Sequence, residues 1–162
     1  MPVKNIREYL DQNHIQYAVL EHAPAFTAEE TAATAHVPGK EMAKAVIVKV
    51  DGRLVMTVLP ASRMLDVDHF RAVTRAKKMQ LATEEECARR CRGSEVGAMP
   101  PFGNLYKMET WVDETLSDDE EIAFNAGTHT ELIRMRFTDF ERLVRPRVHP
   151  FSLSRGEVRG RS

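Results

Sequence analysis

The sequence predicts a mixed α+β domain, and three observations carry that reading. Two apolar runs, residues 45–50 and 54–59, flank an Asp51-Gly52 pair. That is the strongest short-range sign of a β-hairpin, because a two-residue type I′ turn needs positive φ at both central positions. About six short strand-like runs alternate with four or five helix-like ones, as in α/β and α+β domains. Ser/Thr-x-x-Glu capping patterns begin at Thr27, Thr83 and Thr138 and mark helix starts. Hairpins argue against a purely parallel sheet.

The elements follow in order. Val3, Ile6 and Leu10 recur at helical spacing and predict a first amphipathic helix over 3–13. Tyr17-Ala18-Val19-Leu20 reads as a short strand. Thr27-Ala28-Glu29-Glu30 opens an alanine-rich helix to about His36, and Pro38-Gly39 ends it. The hairpin follows and closes at Pro60. Residues 66–75 read as a helix capped by Asp66 or Asp68, and Lys78-Met79-Gln80-Leu81 as a strand. Thr83-Glu84-Glu85-Glu86 opens a helix to about Cys91.

Residues 93–104 contain three glycines and two prolines, which excludes a regular element. A loop of that length in a compact domain tends to be functional or mobile. Residues 105–112 and 121–125 read as strands, with the acidic stretch 117–121 as a solvated turn between them. Ala126-Gly127-Thr128-His129 is a tight connection into a strand at 132–135, and Thr138 caps a short last helix. Past Val144 the chain is rich in Pro, Arg, Ser and Gly and has little to bury, so residues 146–162 are expected to fray. The expected organisation is one domain over 1–145, with no repeat, no second domain and no synthetase domain.

The 162 residues carry a net charge of −1. This length suits a single core, and this charge makes no global electrostatic case for duplex DNA or an anionic membrane. No apolar run reaches the roughly 18 residues of a membrane span. Residues 1–5 lack the apolar segment of a secretory signal. Cys87 and Cys91 are the only cysteines and stand four apart in a helical stretch. They make no disulfide framework, so a reducing cytoplasm is expected. No pair of ligand spacing completes a zinc site, so no metal or cofactor is expected.

Lys44 stands out. With a two-residue loop, Val50 faces Arg53 and Lys44 faces Leu59, at the open end of the hairpin. Side-chain alternation puts Ala45, Ile47, Met56 and Val58 on one face, and Lys44, Val46, Val48, Val55 and Thr57 on the other. Both faces are largely apolar, so both are expected to be covered. A lysine there is desolvated and its pKa lowered unless a carboxylate or bound anion compensates. The plainer alternative has its stem on apolar surface and its head in water at the sheet rim.

Four segments in order then resemble one family. They are Leu20-Glu21-His22-Ala23-Pro24-Ala25-Phe26-Thr27 after a helix, Ala43-Lys44-Ala45-Val46-Ile47-Val48, Val96-Gly97-Ala98-Met99-Pro100-Pro101-Phe102-Gly103, and Phe124-Asn125-Ala126-Gly127-Thr128-His129. Their order, spacing and lysine placement resemble the YbaK/EbsC family, the prolyl-tRNA-synthetase-associated editing domain, over about residues 1–145. The resemblance implies a mixed, partly closed β-barrel flanked by helices. It implies hydrolysis of the ester between a wrong amino acid and tRNA. It places the catalytic lysine at Lys44, a Gly-x-x-x-Pro pocket loop at Gly97 to Pro101, and a facing wall at Asn125, Gly127 and His129.

Such an ester is already activated, so no covalent nucleophile is required. The enzyme must hold the terminal adenosine, place a water and stabilise the oxyanion. Gly97 permits close backbone approach and donates an amide to that oxyanion. Lys44 holds the 3′ end or balances transition-state charge. Substrate contacts are expected from Leu20, Phe26, Ala98, Met99, Pro101, Asn125, Gly127 and His129, with Phe26 stacking on the adenine. The bland alternatives are turn roles for His129 and Asn125 and packing for Phe26.

Arg71, Arg75, Lys77 and Lys78, with Arg89, Arg90 and Arg92, form the densest basic region and are expected to track tRNA phosphates, or else to form a solvated face. Cysteine-specific members tend to carry Tyr, Ser and Asp where this chain has Leu20, Asn125 and Leu132. These departures speak against cysteine specificity, and Ala98-Met99 between Gly97 and Pro100 narrows the pocket, so the expectation is a trans-acting deacylase for a small amino acid. Its expected partners are a mischarged tRNA acceptor end and, in one version, a synthetase. A non-catalytic tRNA- or synthetase-binding module and a small-molecule esterase are the alternatives.

Overall fold

The computed structural model describes residues 5–154. Helix α1 (Ile6–Gln12) starts at Asn5, whose side chain accepts the Glu8 amide at 2.9 Å. Strand β1 (Tyr17–Glu21) and α2 (Ala28–Thr34) follow, with the Thr27 hydroxyl accepting the Glu30 amide. The hairpin pairs β2 (Ala43–Val50) with β3 (Arg53–Pro60) in the expected register, Val50 against Arg53 and Lys44 against Leu59. Asp51 and Gly52 have φ of 48° and 86°, as a type I′ turn requires.

Beyond the hairpin come β4 (Arg63–Leu65), α3 (Val67–Thr74) capped by Asp66, β5 (Met79–Leu81) and α4 (Glu84–Arg90). Thr83 and Glu86 close a complete capping box on α4. Glu86 also pairs with Lys49 of β2, and its carboxyl is pushed down to about 2, first by the lysine and then by the Thr83 amide. The chain finishes with β6 (Glu109–Asp113), β7 (Glu121–Asn125), β8 (Glu131–Arg136), α5 (Phe137–Val144), β9 (Arg147–His149) and β10 (Ser152–Ser154).

The strands make a five-stranded mixed sheet, β5-β2-β3-β6-β9, a three-stranded antiparallel sheet, β1-β8-β7, and the pair β10-β4. The two larger sheets join at a seam. Met42 bridges Ala123, and the Ala123 amide donates to Glu41 O at 2.9 Å. The sheets are linked at that corner and do not close into a barrel.

Both hairpin faces are covered, and they sort as alternation dictates. Ala43, Ile47, Met56 and Val58 enter a main core with Phe102, Phe124, Ile133, α1 and α5. Val48, Val55 and Leu59 enter a second cluster with Phe70, Trp111 and Phe151. A third joins α2 to the outer face of the three-stranded sheet through Ala32, Met42, Ala61, Ala123 and Leu132. Among the described residues no helix is long and apolar enough to cross a membrane.

Three local expectations are corrected. The strand expected from 105 starts at Glu109, because a 3-10 turn (Gly103–Tyr106) and a left-handed Lys107 (φ 58°) come first. Gly103 is packed against Thr110 and Met108 O so closely that a Cβ would collide with both. The acidic stretch is not simply solvated: the Asp119 side chain is 5% exposed, with Lys40 Nζ at 3.6 Å. Helix α5 starts at Phe137 without a side-chain cap, so Thr138 is not its boundary. Burial of Phe137 and Phe140 locates this start, and the Phe137 amide is satisfied by Glu120 O.

The largest correction is the tail. Residues 147–154 do not fray. Strand β9 pairs parallel with β6, and β10 pairs with β4. Phe151 anchors them at 1% exposure, edge-on to Phe70 with ring centroids 5.2 Å apart. Its amide donates to Asp113 Oδ1 at 2.8 Å. Arg147 pairs with Glu109 at 3.0 Å and lies over the Trp111 ring. The remaining tail residues, 155–162, lie outside the described residues, as does Val3 of the first helical pattern. Removing a buried aromatic costs about 3–5 kcal/mol. Phe151→Ala is therefore expected to lower the unfolding free energy by that amount in urea titration. A loss below about 1 kcal/mol, too small for a buried large-to-small change, would show that this segment does not belong to the core.

Candidate active site

Two loops and the entrance to α2 meet at one end of the three-stranded sheet. The Gly127 amide donates to Ala98 O at 3.0 Å, and the Glu95 amide to Gly127 O at 2.8 Å. The Glu95 carboxylate accepts the His129 amide at 2.7 Å. Both ring nitrogens of His129 face backbone carbonyls, Nε2 at 2.9 Å from Val96 O and Nδ1 at 3.2 Å from Ala25 O. A neutral imidazole donates through one nitrogen at a time. The ring is thus a strut between loop 93–101 and residues 25–26, with both nitrogens turned to backbone carbonyls. Phe26 packs on it at 4.9 Å between centroids, yet is 69% exposed.

Gly97 lies against that ring. Its φ is +85°, and an added Cβ would sit 3.6 Å from His129 Cε1. Space exists for a methyl group, but the backbone conformation favours glycine. Among the described residues no acceptor takes the Gly97 N–H. Ala98 is fully buried, with its amide on Glu95 O. Met99 and Pro101 are buried, Met99 within the main core. They hold the loop from behind.

A second group is in register across the sheet. Leu20 pairs with Leu132, and Leu132 with Asn125, so the three form one row on a single face. It is the face that α2 covers, with Leu132 fully buried and Leu20 packed against the cluster. Asn125 is 8% exposed, and its Oδ1 is buried without a hydrogen-bond partner. A native buried acceptor left unpaired is uncommon and asks for a donor.

Lys44 is half-buried, and its Nζ donates to Arg63 O at 2.7 Å and to Ala61 O at 3.5 Å. Burial lowers its pKa. Its hydrogen bonds thus go to the β3–β4 turn and not to loop 97–101. That loop sends Met99 and Phe102 into the main core, the side reached by Ala43 and Ile47, whereas Lys44 alternates with those residues. It borders the α2 side instead, since Ala61 packs there with Met42 and Leu132.

The structure therefore brings Phe26, Gly97, Ala98, Gly127 and His129 together, with Leu20 and Asn125 in the adjoining row. Lys44 stands apart. Arg71, Arg75, Lys77 and Lys78 lie at the other end of the hairpin, where the Lys77 and Lys78 amides donate to the Asp51 carboxylate at 3.0 and 2.9 Å. At about 3.3 Å per residue, that turn is roughly 20 Å from Lys44. Sequence reasoning missed Glu95 and the Ala25 carbonyl. Their partners are distant in the chain, and no local pattern announces them.

Comparison with known proteins adds to this geometry. A model of the aminoacyl-tRNA editing domain family matches residues 22–143. A curated Escherichia coli (strain K12) protein, multifunctional Ser/Thr-tRNA deacylase ProXp-y, is 26% identical over 147 residues, 88% of this chain and 87% of the relative. Among solved structures, hypothetical protein APE2540 superimposes with a TM-score of 0.81 at 20% identity, covering 91% of this chain and 98% of that one. A candidate trans-editing enzyme for prolyl tRNA synthetase gives 0.75 at 20% identity, covering 90% and 92%. At those identities the two structures speak for the fold alone.

The Lys44 burial has a measurable sign. Its folded pKa lies below the unfolded one, so between the two values the unfolded chain binds more protons and stability rises with pH. Relative to Lys44→Met, the wild type is expected to gain unfolding free energy between pH 7 and pH 10 in denaturant titrations. Parallel pH profiles would mean that the amine is not desolvated.

Proposed function

This chain belongs to the aminoacyl-tRNA editing domain family, so it is an aminoacyl-tRNA deacylase, and we propose that it acts as a freestanding trans-editing enzyme on tRNA mischarged with a small amino acid. The observation that carries the site assignment is the meeting of loop 93–101 with residues 125–129. There exposed Gly97, whose amide has no acceptor among the described residues, lies against the His129 ring on which Phe26 packs.

The step adds water across the ester. The water oxygen bonds to the acyl carbon, the bond to the ribose oxygen breaks, and a proton passes to that oxygen. Free amino acid and tRNA leave. The Gly97 N–H donates to the oxyanion, a device worth on the order of 3 kcal/mol in comparable sites. Phe26 stacks on the terminal adenine, a contact worth about 1–3 kcal/mol per base. His129 and Gly127 hold the two loops, with Ala98, Met99 and Pro101 backing them. His129 turns both ring nitrogens to backbone carbonyls and positions the loops, and a neighbouring ribose hydroxyl of the substrate assists the water, as the family resemblance implies. Lys44 faces the α2 side and supplies positive charge there.

Leu20, Leu132 and Asn125 line the acyl position in this reading. Two leucines leave room for a small side chain, and the unpaired Asn125 Oδ1 accepts a hydrogen bond from a side-chain hydroxyl. The printed name of the E. coli relative couples it to serine and threonine, which supports hydroxyl-bearing substrates here. The reaction takes place in the cytoplasm, in one editing domain over 1–145 to which β9 and β10 are strapped. A synthetase partner would act by delivering the tRNA, with Arg71, Arg75, Lys77 and Lys78 on outlying phosphates.

A deacylation panel tests this reading. Purified protein is presented with tRNAs carrying Ala, Ser, Thr and Cys. Release above the enzyme-free rate is expected, led by Ser and Thr. Gly97→Ala keeps the N–H but strains the backbone at φ +85°, so a displaced donor should lower kcat by about ten-fold or more, up to the roughly 10²-fold of a lost oxyanion contact. No hydrolysis of any of the four would favour a non-catalytic tRNA-binding module. Asn125 gives a second prediction. Asn125→Leu is expected to lower the Ser-over-Ala preference at least about ten-fold, the scale of one lost hydrogen bond. An unchanged preference would remove Asn125 from the acyl pocket.

A further inference from the structure

Three arginines surround a cavity to which the ester-cleaving loops give no task. Arg89 and Arg90 end α4, and Arg92 follows its Cys91 cap. With Asn5, Ser94 and Tyr106 they enclose about 180 Å³. Pro100 and Gly127 also line it, so the cavity backs onto the two loops that carry Gly97 and His129. Among the described residues no carboxylate lines it, although the chain as a whole has a net charge of −1. The positive charge here is local.

The interior is built for an acceptor-rich ligand. Ser94 Oγ and Tyr106 OH lie 3.2 Å apart. One hydroxyl hydrogen serves that contact and the other is free for a ligand. Burial raises the Tyr106 pKa, which keeps the phenol a donor. An added Cβ at Gly127 would sit 3.4 Å from Ser94 Oγ, so a larger residue would crowd this floor. The arginines are held loosely. Arg89 has Glu85 at 3.9 Å, and Arg90 reaches Lys107 O at 3.5 Å. Guanidinium forks suit phosphate oxygens. The volume falls below the roughly 300–1,000 Å³ of a site that swallows a drug-sized ligand, so it fits a phosphate group and not a whole nucleotide.

We propose that this cavity seats a backbone phosphodiester of the single-stranded tRNA 3′ end and anchors the substrate beside the ester-cleaving loops. The proposal rests on the deacylase reading and moves the principal phosphate contact from Arg71, Arg75, Lys77 and Lys78 to α4. One anchored phosphate next to loop 93–101 fixes how far the acyl ester reaches, which a contact at the hairpin turn cannot do.

The test compares wild type, Arg90→Gln/Arg92→Gln and the charge control Arg142→Gln. The first readout is binding of an uncharged acceptor minihelix across a salt series. The expected result is about ten-fold or more weaker binding in the double variant, and a log–log salt slope smaller by about 1.4, two contacts at roughly 0.7 each for single strands. Arg142→Gln should match wild type. The second readout is deacylation of mischarged tRNA, where KM should rise about ten-fold while kcat stays within about three-fold, the pattern of lost uniform binding. The loss should be at most about two-fold on aminoacyl-adenosine, which has no phosphate.

Unchanged minihelix affinity and slope overturn the proposal, and so does an equal loss on aminoacyl-adenosine, which would mark a structural role. Protection of the wild type alone by inorganic phosphate, with minihelix binding unchanged in the variant, would assign a free-ion site and also overturn it. Wild type that binds minihelix through these arginines but hydrolyses nothing would sink the deacylase reading and leave the phosphate seat standing.

Discussion

The Asp51-Gly52 turn is the constraint on which the remaining architecture depends. Two consecutive positive φ values allow a two-residue loop and no other register. In a strand a slip of one residue sends every side chain to the opposite face. That register decides that Ile47 and Met56 enter the main core while Val48, Val55 and Leu59 meet Phe70. It decides that Lys44 emerges beside the β3–β4 turn. The same Asp51 carboxylate binds the Lys77 and Lys78 amides. One residue thus sets the hairpin and docks the chain that returns to form β5.

The site is assembled at the second level, by main-chain hydrogen bonds between loops. Loop 93–101 has no regular element to support it. It is held by Gly127, by the His129 amide on Glu95 and by the His129 ring. Core residues Met99 and Phe102 fasten its far end. A loop tied at both ends keeps a backbone amide in place without burying it, as an oxyanion donor requires. Histidine here contributes geometry between the loops.

Much of the fold was legible because its signals are local. The hairpin, the caps at Thr27, Thr83 and Asp66, and β7 over Glu121–Asn125 rest on neighbours within a few residues. What escaped depends on distant partners. Phe151 is one aromatic in a polar stretch, and only its contact with Phe70 makes it a core residue. Asp119 reads as part of an acidic surface run until Lys40 and the seam enclose it. Gly97, Gly127 and His129 were singled out through a family resemblance, and the structure brings them together at one end of the three-stranded sheet. The direction of Lys44 was legible from alternation, but not that its amine would bond the Arg63 and Ala61 carbonyls. Basic residues were visible as a count, and only the packing of α4 separates those lining a cavity from those at the turn.

The Lys44 amine is held by carbonyl oxygens of Arg63 and Ala61. Those ligands belong to the peptide chain and no codon change can delete them. Side chains at 61 and 63 are thereby free to drift within the limits of space while the amine keeps its address. A lysine anchored this way survives sequence divergence that would dissolve an ion pair, because only its own replacement, or a change in the course of the turn, removes it.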